Sequence, residues 1–239
     1  MPYTRLFRAG DILPQNLSVC DDTEVIIDAM QRRPYEIDIK GAGTAMRFLT
    51  AFLATQPGEH VITGTDRMKQ RPIGILVNAL RYLGADIEYL GEEGYPPLRI
   101  KGRTLEGGYI EVAGNISSQY ISALLMIAPT LKNGLQLRIT DGAISRPYID
   151  LTLWMMREYG ADADWSDADT ITVNAKPYER HEYTIESDWS AAAYWYEMLA
   201  LRVNDESEVR FKGLMDASRQ GDSIVKYIFS LLGVKTKYS

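Results

Sequence analysis

The apolar positions of this chain fall into segments that return at a fixed spacing. Leu76, Ala79, Leu80 and Leu83 share one face at helical spacing. Their segment opens Arg71-Pro72-Ile73-Gly74 and closes Gly84-Ala85-Asp86-Ile87. Proline suits the first turn of a helix, where its missing N–H costs nothing, and glycine suits a left-handed cap after the last turn. The pattern predicts a helix and then a short strand from Asp86 to Leu90. The arrangement returns at Arg146-Pro147-Tyr148-Ile149-Asp150-Leu151, 75 residues after Arg71, and closes Gly160-Ala161-Asp162. A third copy runs Ser223 to Leu232, then Gly233-Val234, and Asp21 to Met30 reads as the matching helix of an earlier copy.

A second helix recurs with the first. Thr44 to Phe52, Ser118 to Ile127 and Ser190 to Leu201 are apolar runs whose small residues, Ala45, Ala123 and Ala191 to Ala193, permit close packing. Strand-like runs at His60–Thr63, Leu135–Thr140 and Glu208–Lys212 precede the helices of the first kind. The period exceeds that of solenoid repeats. It predicts a small α/β module of the α+β type, used several times around a shared core. The first copy lacks its opening and the last stops early, so the chain is expected to be part of a longer protein.

Composition narrows the function. Of 239 residues, 46% are hydrophobic and 24% charged, the balance of a soluble globular protein. A net charge of −6 argues against nucleic-acid binding, which needs a basic surplus. The single cysteine, Cys20, excludes an internal disulfide and a Cys-rich zinc site, and no metal or cofactor is expected. The apolar stretch Ile121–Ala128 is interrupted by Ser122, ended by Pro129 and too short to span a bilayer. With no signal-peptide pattern in residues 1–20, the reading is cytoplasmic. His60 and His181 are isolated and read as ordinary strand or surface residues.

Three loops in equivalent places of the repeat carry the candidate chemistry. Lys40-Gly41-Ala42-Gly43-Thr44-Ala45-Met46-Arg47 opens a helix through glycines and exposes backbone N–H groups where the helix dipole favours an anion. Gly114-Asn115-Ile116-Ser117-Ser118-Gln119 is either an N-cap with a spare hydroxyl or a phosphate-gathering turn. Thr65-Asp66-Arg67-Met68-Lys69-Gln70-Arg71 is either a solvated basic face or an anion clamp built on arginine forks. Its counterpart, Asp141-Gly142-Ala143-Ile144-Ser145-Arg146, adds a hydroxyl and a cation. Together the loops suggest one face collecting a small, multiply anionic ligand.

Gly41-Ala42-Gly43-Thr44-Ala45-Met46-Arg47, Asp66 to Gly74, Tyr95-Pro96-Pro97-Leu98, Ser117-Ser118-Gln119-Tyr120 and Ser145-Arg146-Pro147-Tyr148-Ile149-Asp150 closely resemble the 5-enolpyruvylshikimate-3-phosphate synthases. The resemblance runs in register along nearly the whole chain. It implies the enolpyruvyl transferase fold: βαβαββ-like units in a pseudo-threefold arrangement, with two such domains facing a cleft. Residues 1–186 would be most of one domain, and 187–239 the start of the other, short of packing partners. It implies transfer of the enolpyruvyl group of phosphoenolpyruvate to the 5-hydroxyl of shikimate 3-phosphate, with release of phosphate, by a monomer acting on small anions without nucleic acid or membrane.

Carried over by motif, Ser117, Ser118 and Ser145 would hold shikimate 3-phosphate, chiefly its phosphate, with Tyr148 flanking the ring. Gln119 would contact both substrates. Gly43, Thr44 and Arg67 would bind phosphoenolpyruvate, and Arg47 would help shape that pocket. Gly41 stands where the family commonly has asparagine, and Phe48 where it commonly has proline. The family's Lys-Ser motif would precede Met1 and its acid–base residues would follow Ser239, so no catalytic residue is assigned within this chain and the chain alone is expected to be inactive. The related UDP-N-acetylglucosamine enolpyruvyl transferases are an alternative, but they commonly carry a cysteine in the loop where this chain has Thr65–Gln70.

Overall fold

The structure, a computed structural model, describes residues 14–143, 145–202 and 207–238. Helix α1 (Asp21–Arg32) precedes a module that runs β1 (Glu36–Asp38), α2 (Gly43–Thr55), β2 (Gly58–Thr63), a single turn α3 (Asp66–Lys69), α4 (Gly74–Tyr82), β3 (Asp86–Tyr89) and β4 (Leu98–Gly102). A second module follows as β5 (Gly108–Ala113), α5 (Ser118–Ile127), β6 (Leu135–Thr140), α6 (Arg146–Glu158), β7 (Ala163–Trp165) and β8 (Thr170–Val173). Both are βαβαββ, and their sheets have the same order: β1-β2-β4-β3 and β5-β6-β8-β7. In each, the first two strands are parallel and a hairpin adds two antiparallel strands.

Local patterning accounts for these elements. Along β6, Leu135, Leu137 and Ile139 are buried while Gln136 and Arg138 face outward, the period of two that one covered sheet face requires. Helices α2 and α5 are apolar nearly all round because both are interior, packed on each other, with α1 against α2 and α6 against α5. Ile39, Met46, Leu49, Leu53, Ile62, Leu76, Leu80, Leu98 and Ile100 continue into Leu124, Leu137, Leu153 and Ile171 as one core. Each fully buried side chain of this size stabilises the fold by about 1.5–3 kcal/mol. Gly84 and Gly160 end α4 and α6 with φ of 101° and 79°. Their N–H groups bond to Arg81 and Arg157, and the next N–H groups, of Ala85 and Ala161, reach back to Leu80 and Met156, the double closure of a Schellman cap.

Two elements differ from the sequence reading. Pro72 does not open α4, which starts at Gly74; the Gly94 carbonyl accepts from the N–H groups of both Ile73 (2.9 Å) and Gly74 (3.1 Å) and sets the start two residues later. Glu208–Lys212 forms no strand. In both modules the equivalent strand lies between a parallel neighbour and a hairpin, and among the described residues nothing supplies such neighbours here.

Residues 14–17 and 182–238 form a separate, smaller body. Gln15 joins the chain near Thr184 through bonds with Tyr183 and Ile185. Its helices are α7 (Trp189–Leu201) and, after a 3₁₀ turn at Gly221–Ile224, α8 (Val225–Ser230). Trp189, Ala192, Tyr196 and Val225 make a small core, and Tyr194, Leu201, Leu231 and Leu232 stand in solvent. Among the described residues no helix is long and apolar enough to cross a membrane.

Candidate functional site

The loops that follow the parallel strands meet in pairs. After β1 and β2, the Lys40 carbonyl accepts from the Thr65 N–H at 3.0 Å. After β5 and β6, the Gly114 N–H donates to the Thr140 carbonyl at 2.6 Å, and Gly114 lies against the Gly142 carbonyl with no room for a Cβ. Helices therefore start side by side at one edge of each sheet, with their N–H ends directed to the loops.

The two modules join at these helix starts. Gln119, second residue of α5, donates its Nε2 to the hydroxyl of Thr44, second residue of α2, at 3.1 Å. Gly43 lies beside them, and a Cβ there would stand 2.7 Å from the Arg71 guanidinium carbon and 2.8 Å from Arg47 Nη1. Arg47 is buried at 4% exposure, donates to the Gly43 carbonyl at 2.7 Å, and lies 5.4 Å from the centre of the Tyr120 ring. Its Nε has no hydrogen-bond partner. Tyr120 in turn donates its hydroxyl to the Pro72 carbonyl at 2.6 Å, holding α5 to the loop that carries the arginines.

The electrostatics are lopsided. Among the described residues no carboxylate forms an ion pair with Arg47, Arg67 or Arg71. Burial pushes the Arg71 guanidinium below its usual pKa, and the like charges of Arg47 and Arg67 push the same way. The group has guanidinium donors, an amide and a hydroxyl, with the Asp22 carboxylate on the helix N–H groups beside them; the cationic donors are equipment for holding an anion. Among the described residues no cluster of His, Cys, Asp and Glu is placed to hold a metal ion.

Gly43, Thr44 and Gln119 are thus brought together, with Arg67 exposed on α3 and close enough to Arg71 to perturb it. Ser117 caps α5, its hydroxyl accepting from the Gln119 N–H at 3.4 Å, and Ser118 is half-buried beside it. Ser145 is the N-cap position of α6 and its side chain makes no capping bond. Tyr148 is half exposed one turn later, its N–H bonded to the Ser145 carbonyl. The Gly114–Gly142 contact and the Ser122–Thr152 hydroxyl pair, 2.8 Å apart, hold the Ser145 loop and α6 to the Ser117 loop and α5. Sequence reasoning missed Asp22, whose Oδ1 accepts from the N–H groups of Thr44 and Ala45. It also gave no role to Tyr120, although an aromatic beside the Ser117–Gln119 turn was there to be noticed.

A family model described as EPSP synthase (3-phosphoshikimate 1-carboxyvinyltransferase) matches residues 14–238. A protein of Bacteroides fragilis named 3-phosphoshikimate 1-carboxyvinyltransferase is 57% identical over 230 residues, which are 96% of this chain and 56% of that protein. One of the same name from Colwellia psychrerythraea is 41% identical over 206 residues, 85% of this chain and 48% of its own length. The chain thus spans about half the length of the curated relatives it matches. A solved EPSP synthase from Acinetobacter baumannii superposes with a TM-score of 0.57 at 26% identity, covering 67% of this chain and 35% of that one. With the match running through both modules and the smaller body, the chain belongs to the EPSP synthase (3-phosphoshikimate 1-carboxyvinyltransferase) family.

Proposed function

We propose that this chain supplies the substrate-gripping share of an enzyme that moves the enolpyruvyl group of phosphoenolpyruvate onto the 5-hydroxyl of shikimate 3-phosphate and releases phosphate. The observation that carries the reading is the Gln119–Thr44 bond at the meeting of two helix N-termini, beside three arginines that form no ion pair with a carboxylate among the described residues. In this reading Ser117, Ser118 and Ser145 bind the shikimate 3-phosphate phosphate and Tyr148 flanks its ring. Gly43, Thr44 and Arg67 bind phosphoenolpyruvate. Gln119 lies between the two ligands and orients both.

The chemistry asks this of the site. Both substrates are anions, so bringing them together costs Coulomb energy unless positive groups and N–H dipoles surround them. Attack of the hydroxyl on C2 of phosphoenolpyruvate needs the two held in one geometry. Residues 187–239 are read as the beginning of a second domain. The reading also takes the enzyme as cytoplasmic and monomeric, free of cofactor and metal, with small anions as its only partners.

Titration of the chain with shikimate 3-phosphate, followed by NMR, tests this. Saturable binding is expected, weakened about tenfold or more by Ser117→Ala with Ser118→Ala and again by Ser145→Ala, since a lost hydrogen bond to a charged group is worth about 1.5–3 kcal/mol. UDP-N-acetylglucosamine serves as the competing ligand. Binding of the sugar nucleotide in preference, or no serine-dependent binding of shikimate 3-phosphate, overturns the reading.

A further inference from the structure

Two consecutive carboxylates at the start of α1 bracket the glycine turn that leads into α2. Asp21 Oδ1 accepts from Lys40 Nζ at 2.7 Å, and Lys40 begins the turn in the left-handed region, with φ of 52°. On the far side, Asp22 Oδ1 accepts from the N–H of Thr44 at 3.2 Å and of Ala45 at 3.3 Å. The N-cap position itself is Ala42, which has no side chain able to do this. The cap of α2 is therefore tertiary, delivered from another helix.

Its consequences reach the neighbouring groups. Thr44 is the residue whose hydroxyl receives Gln119 Nε2, so the backbone that Asp22 holds also fixes the link between modules. The same turn carries Gly43, whose carbonyl is bonded to the buried Arg47, and the Nε of that guanidinium is unpartnered. The Asp22 charge is near enough to Arg71 to raise its pKa, yet its oxygen is aimed at backbone N–H groups.

We propose that Asp22 is a positioning residue of the anion site: it holds the first turn of α2 so that Gly43, Thr44 and Gln119 present their polar groups together, although its own charge opposes that of the ligand. This rests on the functional reading above. The two effects of removing Asp22 have opposite signs. Deleting a negative charge beside an anion site strengthens anion binding. Losing the cap loosens the turn and weakens it.

The test compares Asp22→Ala, Asp22→Asn and, as control, Asp21→Asn in the full 239-residue chain. Amide hydrogen exchange is measured without ligand, and affinity is measured with phosphoenolpyruvate. Asp22→Ala is expected to speed exchange at Thr44 and Ala45 by about 3- to 30-fold, the cost of a lost cap, and to weaken phosphoenolpyruvate binding several-fold despite the charge removed. Asp22→Asn keeps an acceptor oxygen, so exchange stays within about twofold of the parent and binding is at least as tight. Asp21→Asn leaves Thr44 and Ala45 unchanged. Unchanged exchange in Asp22→Ala, or binding as tight as the parent's, overturns the inference. Failure of the unsubstituted chain to bind phosphoenolpyruvate overturns the functional reading instead, and the exchange rates still judge Asp22.

Discussion

Gln119 and Thr44 are 75 residues apart, the period of the repeat, and each is the second residue of the inner helix of its module. Equivalent positions of two copies therefore touch, amide to hydroxyl, at 3.1 Å. A bond of this kind between half-buried neutral groups contributes about 0.5–1.5 kcal/mol. A double-mutant cycle of Thr44→Val and Gln119→Leu, read by denaturant unfolding of the larger body, is expected to give a coupling energy in that range. Strict additivity of the two substitutions would mean that the modules are held together without this pair.

Two glycines of the site predict different consequences for the same added methyl group. At Gly114 the Cβ would meet the Gly142 carbonyl, which is backbone in the loop two residues past β6. Gly114→Ala should cost about 1–3 kcal/mol of stability, the usual penalty for forcing atoms into a packed region. At Gly43 the Cβ would meet the guanidinium ends of Arg71 and Arg47. Arg71 is half-buried and can swing away, whereas the buried Arg47 must give by a few tenths of an ångström, so Gly43→Ala should cost less stability than Gly114→Ala, about 1 kcal/mol, while anion affinity falls with the displaced cation. Thermal unfolding beside a phosphoenolpyruvate titration separates the two. Equal destabilisation by both would contradict the distinction between backbone and side-chain neighbours.

What could be read from the residues was what the chain encodes locally. Helix α5 and strand β6 coincide with the apolar runs Ser118–Ile127 and Leu135–Thr140, because serine cap, small residues and strict alternation all sit within the element. Gly84 and Gly160 mark their caps for the same reason. Pro72 misled because the start of α4 is set by Gly94, in the β3–β4 hairpin. Glu208–Lys212 has the composition of a strand, but a strand exists only where another pairs with it. Asp22 was invisible for a related reason: the residues around α2 show an uncapped helix start, and the cap arrives from a different helix. That the loops of Gly43, Thr44 and Gln119 share one face was legible from their equivalent places in the repeat, and their grouping around one site from the family resemblance.

Trp165 should report on ligand at the Ser145 loop. The guanidinium of Arg146, next to Ser145, lies 4.0 Å above the Trp165 ring, and the indole N–H donates to Asp150 at 2.8 Å. Both line a hollow of about 350 Å³ with Thr140, Asp141 and Gly142. An anion held by Ser145 would draw Arg146 and alter its contact with the ring, a contact worth about 0.5–1 kcal/mol at an exposed site. Adding shikimate 3-phosphate is expected to change Trp165 emission, and Trp165→Phe to abolish that change while affinity stays within about threefold. An unaltered signal in Trp165→Phe would assign the response to Trp154, Trp189 or Trp195.

Acid and base should both weaken the smaller body, for reasons centred on Lys226. Its side chain is buried at 6% exposure, and its Nζ donates to the Asp216 carbonyl (2.7 Å), Asp216 Oδ1 (2.6 Å) and the Tyr238 hydroxyl (3.1 Å). The rings of Trp189, Tyr227 and Tyr238 lie within 5.8 Å of the ammonium. Burial alone pushes Lys226 down, but the bonds to Asp216 and Tyr238 outweigh it and leave its pKa above the ordinary 10.5. The bond from Lys226 holds Asp216 below the ordinary 3.8. A lowered carboxylate contributes stability that is present above 3.8 and is lost as pH falls through its folded-state pKa; a raised ammonium contributes stability that is present below 10.5 and is lost as pH rises through its own. Unfolding followed by Trp189 fluorescence should therefore show a plateau between these values with a fall on either side. Asp216→Ala should destabilise more than Lys226→Met, because it leaves a buried charge short of its partner whereas methionine removes the charge altogether. A pH profile for Lys226→Met that superimposes on the parent's would show that this cage does not govern the stability of the body.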